Sequence, residues 1–328
     1  MTAQAGVPAR GVELRGIGLY TAAILLLSVM DAMIKWATDF YPVVQIVAFR
    51  SVIGLLPILV VLAWRRRFHE VRTRRPLIHV ARGVIGVSAG FCFFYAFKTL
   101  PLVDAYAIAF ASPLFITALS VPVLGEAVGA RRWTAVAIGF LGILVILRPG
   151  IEGIDQFLTL GGLAALAGTF LFALSVLLIR RFGRTETSAA MVLWSGITGA
   201  VIASVVSVPD FVPPDAFGWG LMGSIGLLGG VATIMLTEAF RTARPAVLAP
   251  FEYTAMVWAV IFGLAIWGDV PDLWVGVGSA IVIAAGLYIL HRERRRDVET
   301  AGSERLAAAP LAAPQGAREP PGGGDRED

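Results

Sequence analysis

Ten apolar runs, most of them about twenty residues long, follow one another between residues 17 and 290. That feature leaves few solutions. Hydrocarbon offers no partner to a peptide N–H or C=O, so such a chain crosses a bilayer as helices that close their own hydrogen bonds. The runs are Ile17–Ala37, Pro42–Trp64, Leu77–Phe97, Pro101–Leu124, Trp133–Leu147, Phe157–Ile179, Ala189–Val208, Phe217–Phe240, Ala246–Trp267 and Leu273–Leu290. Only Trp133–Leu147 is short, and it reaches full length if Arg131 and Arg132 snorkel to the interface. With 57% hydrophobic and 15% charged residues, the chain is not a soluble globule. The expectation is an all-α polytopic membrane protein with ten transmembrane helices.

The flanks read differently. Residues 1–16 are polar and carry Arg10 and Arg15, and residues 298–328 are rich in Ala, Pro, Gly and charge, the composition of a disordered tail. The first run is too long for the core of a signal peptide and lacks an A-x-A site. Asp31 and Lys35 also interrupt its end, so it is read as a helix of the mature protein. A single cysteine, Cys92, excludes an intramolecular disulfide.

Lys and Arg fall overwhelmingly into alternate connections. Nineteen lie on one side, against Lys98 and Arg148 on the other. The positive-inside rule then places both termini in the cytoplasm of a cell (inner) membrane protein, and it requires an even number of spans. The pI near 9.6 therefore reports topology rather than nucleic-acid binding, because the arginines cluster at helix ends.

The chain also repeats itself. Ala96-Phe97-Lys98-Thr99 through Gly125-Glu126 recurs as Ala239-Phe240-Arg241-Thr242 through Gly268-Asp269, with an internal proline, Pro113 or Pro250, in each copy as a candidate helix break. Five spans per half is odd, so residues 157–291 enter the membrane from the face opposite to residues 17–148. Two inverted five-helix repeats place a solute site near the midplane between them.

Several segments carry a family resemblance. Asp31-Ala32-Met33-Ile34-Lys35-Trp36, Phe49-Arg50-Ser51, Phe94-Tyr95-Ala96-Phe97-Lys98, Ser112-Pro113-Leu114-Phe115, Leu124-Gly125-Glu126, Gly139-Phe140-Leu141-Gly142 and Leu147-Arg148-Pro149-Gly150 resemble the EamA branch of the drug/metabolite transporter superfamily. Within it, the first half is most similar to bacterial S-adenosylmethionine-uptake and metallophore-export members. The resemblance spans residues 17–290 and implies ten helices in two EamA repeats, a central cavity, and supporting roles for the fifth and tenth helices. In the second half Trp194 stands where Arg50 would align, and Ser175 and Ile179 where Asp31 and Lys35 would.

Charge inside a span costs about 2.5–3.5 kcal/mol on insertion scales, so each case needs a reason. Asp31 lies about 9 Å from the outer end of its helix and Arg50 about 12 Å from the outer end of the next, at matching depths on neighbouring spans. Lys35 shares a helical face with Asp31. Either these residues line the cavity, Arg50 holding an anionic group and Asp31 an ammonium or a proton, or they form a structural ion pair. Glu252, beside Pro250 and Tyr253, is a second candidate for amine or proton binding, or else pairs with Arg241 or Arg244. Tyr106, Trp194, Tyr253 and Trp258 could stack a planar or cationic solute. Arg82, close to an inner helix end, reads as a snorkelling structural residue. Small residues at Ala135/Gly139 and Gly276/Ala280/Ala284 suit close contact between the fifth and tenth spans, or a homodimer.

Enzyme signals are poor. Gly218-x-Gly220-x-x-Gly223 opens an apolar span with no strand before it, the three histidines are scattered, and no H-E-x-x-H, Cys/His set or G-x-S-x-G occurs. No metal or cofactor is called for. The expected function is secondary transport of a small polar organic solute (amino-acid-like, amine or nucleoside-type) by alternating access. A membrane-embedded enzyme and a non-transporting membrane subunit are the alternatives.

Overall fold

In the computed structural model, residues 10–66, 68–73, 75–147, 160–182, 186–243 and 245–307 are described, and all regular structure among them is helical. The first half contains α1 (Arg10–Ala37), α2 (Val43–Ile53), α3 (Leu55–Trp64), α4 (Pro76–Thr99), α5 (Leu102–Ala109), α6 (Ser112–Leu124) and α7 (Ala130–Leu147). The second contains α8 (Leu160–Phe182), α9 (Ser188–Ser207), α10 (Ala216–Thr242), α11 (Pro245–Glu252), α12 (Thr254–Phe262) and α13 (Leu273–Ala307). A 3₁₀ turn at Phe68–Val71 precedes α4, and a π-helical segment, Gly263–Trp267, extends α12.

Among the described residues, eight stretches are helical, long and apolar enough to cross a membrane; α2–α3, α5–α6 and part of α11–α12 each make one. The two short of that standard are α7, which opens on Arg131 and Arg132, and the apolar part of the last helix, Leu273–Ile289. Large apolar side chains stay on the outer surface, among them Val60, Leu141, Val201, Val205, Leu264 and Ile266. Helices apolar on every face, with this much exposed aliphatic surface, fit lipid and not water. The protein is a multi-pass membrane protein.

Three spans are broken. α2 passes into α3 at Gly54, three residues before Pro57. Pro57 has no N–H to give the carbonyl four residues earlier, that of Ile53, so the helix yields there. α5 ends at Ala109, and α6 restarts at Ser112 with Pro113 in its first turn, where a proline is tolerated. α11 contains Pro250 and ends at Glu252, leaving Tyr253 as the joint. The breaks at Phe110 and Tyr253 correspond, 143 positions apart, although the prolines do not.

The duplication extends to individual hydrogen bonds. Leu100 N–H donates to Ala96 O and Ala243 N–H to Ala239 O; Gly125 N–H donates to Val121 O and Gly268 N–H to Leu264 O; Glu126 N–H donates to Ser120 O and Asp269 N–H to Gly263 O. Gly125 and Gly268 have φ of 72° and 71° with no atom within 4 Å of a built Cβ, so backbone conformation is what requires glycine there.

Packing follows the same exchange of halves. α1 lies against α10 and α4 against α8. Both pairs are antiparallel: Tyr20 meets Phe240 with ring centroids 5.6 Å apart while Trp36 meets Phe217 at 5.5 Å, and Gly161 at the start of α8 faces Thr99 at the end of α4. Glycines permit these approaches. A Cβ on Gly226 would fall 2.5 Å from that of Ile53, and one on Gly230 2.6 Å from the carbonyl of Gly54. Ile34, Ile46, Leu102, Ile108 and Leu114 fill the interior.

Several sequence expectations shift. α1 begins at Arg10, inside the segment taken as polar flank. α13 continues to Ala307, ten residues into the expected disordered tail, because the stretch is rich in Arg, Glu and Ala and meets its first proline only at Pro310. Residues 1–9 and 308–328 lie outside the described residues. The chain divides into a unit up to His291 and a second from Arg292 onward. α7 and α13 meet through Gly142 and Gly278; the small residues Ala135 and Gly139 are in close packing, Gly139 on Leu114, while Ala280 and Ala284 are exposed.

The glycine contacts set an expected outcome. Gly226→Leu overpacks the α2–α10 crossing and costs about 1–3 kcal/mol, whereas Gly220→Leu, with nothing within 4 Å, leaves stability unchanged. Thermal unfolding of detergent-purified variants checks both.

Candidate functional site

Two neighbouring cavities open among α2–α3, α4, α8, α9 and α10. The deeper, about 220 Å³, is lined by Arg50 and Ser51 of α2, Gly54, Arg82 to Gly90 of α4, Ser175 of α8, Ser195 and Gly196 of α9, and Gly229 to Thr233 of α10. The second, about 370 Å³, runs from Ile58 toward the arginine-rich end, past Arg65, Glu70, Thr187, Thr237 and Glu238. Ile58, Val192 and Thr233 line both, so the two cavities adjoin between that end and Arg50. Gly86 and Gly90 of α4 match Gly229 and Thr233 of α10 at the 143-residue spacing, so corresponding stretches of the two halves wall the same space.

At the opposite end, polar and aromatic contacts fasten α1 and α2 to their neighbours. The side-chain amide of Gln45 donates to Val212 O (2.7 Å) and accepts from Val212 N–H (2.9 Å). Tyr41 Oη donates to Asp215 Oδ1 (3.2 Å), whose other role is to cap α10 at Gly218 N–H (2.7 Å). Phe49 packs edge-on against Trp219 at 5.2 Å. Lys35 Nζ donates to the carbonyls of Phe97 (3.2 Å) and Leu100 (2.6 Å), pinning α1 to the C-terminal end of α4, and sits over the Trp267 ring at 5.3 Å.

The expected charged pair takes another form. Asp31 and Arg50 are close enough to interact electrostatically, yet they make no direct ion pair. Asp31 Oδ2 accepts from Tyr106 Oη at 2.6 Å. The guanidinium of Arg50 rests 5.7 Å from the Phe94 ring centroid and leaves its Nε without a hydrogen bond. Tyr106 continues an aromatic line, 6.1 Å from Phe97 and 6.3 Å from Phe110, and Phe110 meets Tyr253 edge-on at 5.1 Å. The two corresponding helix breaks thus touch through their rings.

The remaining sequence candidates disperse. Glu252 lies in the electrostatic reach of Tyr20 and Tyr253, between α1 and α11, and does not line either cavity. Trp194 is 40% exposed and donates its indole N–H to Val71 O at 2.9 Å, so it anchors the 3₁₀ turn and does not replace Arg50 in the cavity. Thr187, which also donates to Glu70 O, fastens the same turn. Trp258 stacks on Phe262 at 6.2 Å with its Nε1 buried and without a hydrogen bond. Pro113 and Pro250 flank the two breaks and do not enter the cavities.

Arg82 is the residue that sequence position misplaced. It is 7% exposed, lines the deeper cavity, and donates through Nη1 to Met191 O at 3.2 Å. Its depth allowed snorkelling, but its face points inward. The signal was the neighbouring spacing Gly83/Gly86/Gly90, which marks the face turned to other helices.

The comparisons place the chain among membrane transporters. Residues 14–148 match the model of the EamA-like transporter family. An S-adenosylmethionine uptake transporter of Rickettsia prowazekii is 27% identical over 86% of this chain and 94% of its own. The pseudopaline exporter CntI of Pseudomonas aeruginosa is 29% identical over 82% of this chain and 94% of its own. A solved crystal structure shares the fold, with a TM-score of 0.57 at 20% identity over 87% of this chain and 96% of that one. These relatives are transporters and not enzymes.

The Tyr106–Asp31 contact carries an expected outcome. Tyr106→Phe destabilises the protein by about 1.5–3 kcal/mol, the range for a hydrogen bond to a charged group. In a double-mutant cycle with Asp31→Asn, thermal or denaturant unfolding in detergent reads a coupling of about 0.5–3 kcal/mol.

Proposed function

We propose that this protein is a secondary carrier of a small polar organic solute bearing an acidic and an amine group, working by alternating access between two oppositely directed five-helix units. The passage ending at Arg50 is the observation that carries this. Its two cavities adjoin toward the arginine-rich end, and at the other end Gln45–Val212 and Tyr41–Asp215 fasten the start of α2 to the segment that leads into α10. That is the geometry of one of the two states such a carrier must visit. The antiparallel α1–α10 and α4–α8 pairs, with five spans in each half, support opposite directions for the units. The excess of arginine at the open end supports a cytoplasmic-facing state.

In this reading Arg50 holds the acid group. Asp31, hydrogen-bonded to Tyr106 and in electrostatic reach of Arg50, holds an amine or a coupling proton. Rocking of one unit against the other breaks the Gln45–Val212 pair and closes the space around Ile58, Val192 and Thr233. The relatives are named for uptake in one case and export in the other, so the direction belongs to the gradient and not to the fold.

Purified protein in lipid vesicles should take up a labelled solute from a panel of amino acids, nucleoside-type metabolites and amines, with and without a pH gradient. Arg50→Ala should lower that uptake by about ten-fold or more, as expected for losing a charge-assisted contact, while eluting as wild type on size exclusion. Wild-type rates in the variant would remove Arg50 from the pathway. Orientation is checked separately in a Cys92→Ser background. A membrane-impermeant maleimide should label Asp210→Cys from outside intact cells, and His69→Cys only after permeabilisation.

A further inference from the structure

The deeper cavity has an unbalanced charge. Two of its nineteen lining residues are arginines, none is acidic, and eight are glycines. Arg50 has Asp31 in electrostatic reach. Arg82 has no such compensation among the described residues: Nη1 donates one hydrogen bond to the Met191 carbonyl, and Nε is buried with no partner. A guanidinium offers five N–H donors in a fixed fork. An arginine kept only for packing leaves such donors unsatisfied in a protein interior at a cost. Glu186, on the segment before α9, meets His79 at 3.3 Å, one turn of α4 from Arg82, and does not line this cavity.

The two arginines also stand at different depths. Arg82 is six residues into α4 from the arginine-rich end, about 9 Å at the helical rise. Arg50 is seven residues into α2 from the opposite end, about 10 Å by the same measure. A hydrocarbon core about 30 Å thick then leaves roughly 11 Å between them along the normal. Serines and glycines fill the wall on either side of that interval, Ser51, Ser175 and Ser195 presenting hydroxyls and the glycines exposing backbone.

We propose that Arg82 is a second anion-binding residue of the passage, so that the carried solute belongs to the organic acids, amino acids included, and its acid group meets Arg82 before it reaches Arg50. This deepens the transport reading and rests on it for the identity of the ligand as cargo. The acid group accepts from the guanidinium of Arg82, then from that of Arg50. The glycines let the carbon skeleton lie flat against backbone. A cation of the same size is repelled at both stations unless it carries an acid as well.

The test does not require knowing the cargo. In a Cys92→Ser background, Ser195→Cys or Ser175→Cys places a thiol in the cavity wall. It is reacted in permeabilised membranes with an anionic (sulfonatoethyl) and a cationic (trimethylammonium-ethyl) methanethiosulfonate, each rate divided by that of a free thiol. The anionic reagent should be favoured by about ten-fold or more. Arg82→Gln should lower that ratio by about three-fold or more, and Arg82→Lys should retain it. Equal rates for the two reagents, or a ratio that Arg82→Gln leaves unchanged, overturn the proposal. In vesicles, the same Gln variant should raise KM by about ten-fold for a transported acid, with a smaller effect on kcat, and no solute lacking an acid group should be carried. Transport of an amine without an acid at wild-type rates would also overturn it. An anion-selective cavity in a protein that moves none of the panel would leave the Arg82 assignment standing and remove the transport reading.

Discussion

A guanidinium placed in hydrocarbon must be kept from lipid or neutralised, and this protein holds two of them well inside its spans. Insertion scales put that cost at about 2.5–3.5 kcal/mol per residue, an appreciable fraction of what folding returns. The bundle meets the requirement by geometry rather than by pairing. Arg50 turns onto the Phe94 ring and Arg82 onto a carbonyl of α9, both facing a space walled by five helices. Everything that brings α2, α4, α8, α9 and α10 together, above all the glycine crossings at Gly54, Gly226 and Gly230, serves that enclosure.

The broken helices belong to the same economy. Backbone groups freed at a break find no water in a membrane, so breaks survive only against protein or a wet space. Gly54 lies at the edge of the cavity, packed on Gly226 and Gly230. Phe110 and Tyr253, at the joints of the fourth and ninth spans, meet each other ring to edge. The joints correspond between halves while their prolines do not, which shows that the position of the break is imposed by the packing of the two spans and that proline only lowers its cost on one side or the other.

Much of this was legible in the sequence because it is one-dimensional information. The lengths of the apolar runs, the recurring Phe-to-Gly interval and the paired Gly125 and Gly268 turns all depend on position along the chain, and the hydrogen bonds repeat at the same interval. What failed depended on azimuth. Counting residues from a helix end gives depth, but a helix apolar all round has no polar stripe to say which way a side chain points. Trp194 therefore read as a stand-in for Arg50, yet it holds a turn; and Arg82 read as a snorkelling residue near a helix end, yet it lines the cavity. The small-residue spacing of α4 was the only marker of direction available.

The pairing at Gln45 has a consequence of its own. A carboxamide that both gives and receives a bond at one peptide unit imitates a neighbouring β-strand, and it recognises main chain rather than any particular side chain. The latch is thus blind to the identity of its partner: position 212 is free to become any residue that keeps its N–H, and only proline is forbidden there. The side-chain information of that pair resides on Gln45 of α2, one turn and a half from Arg50.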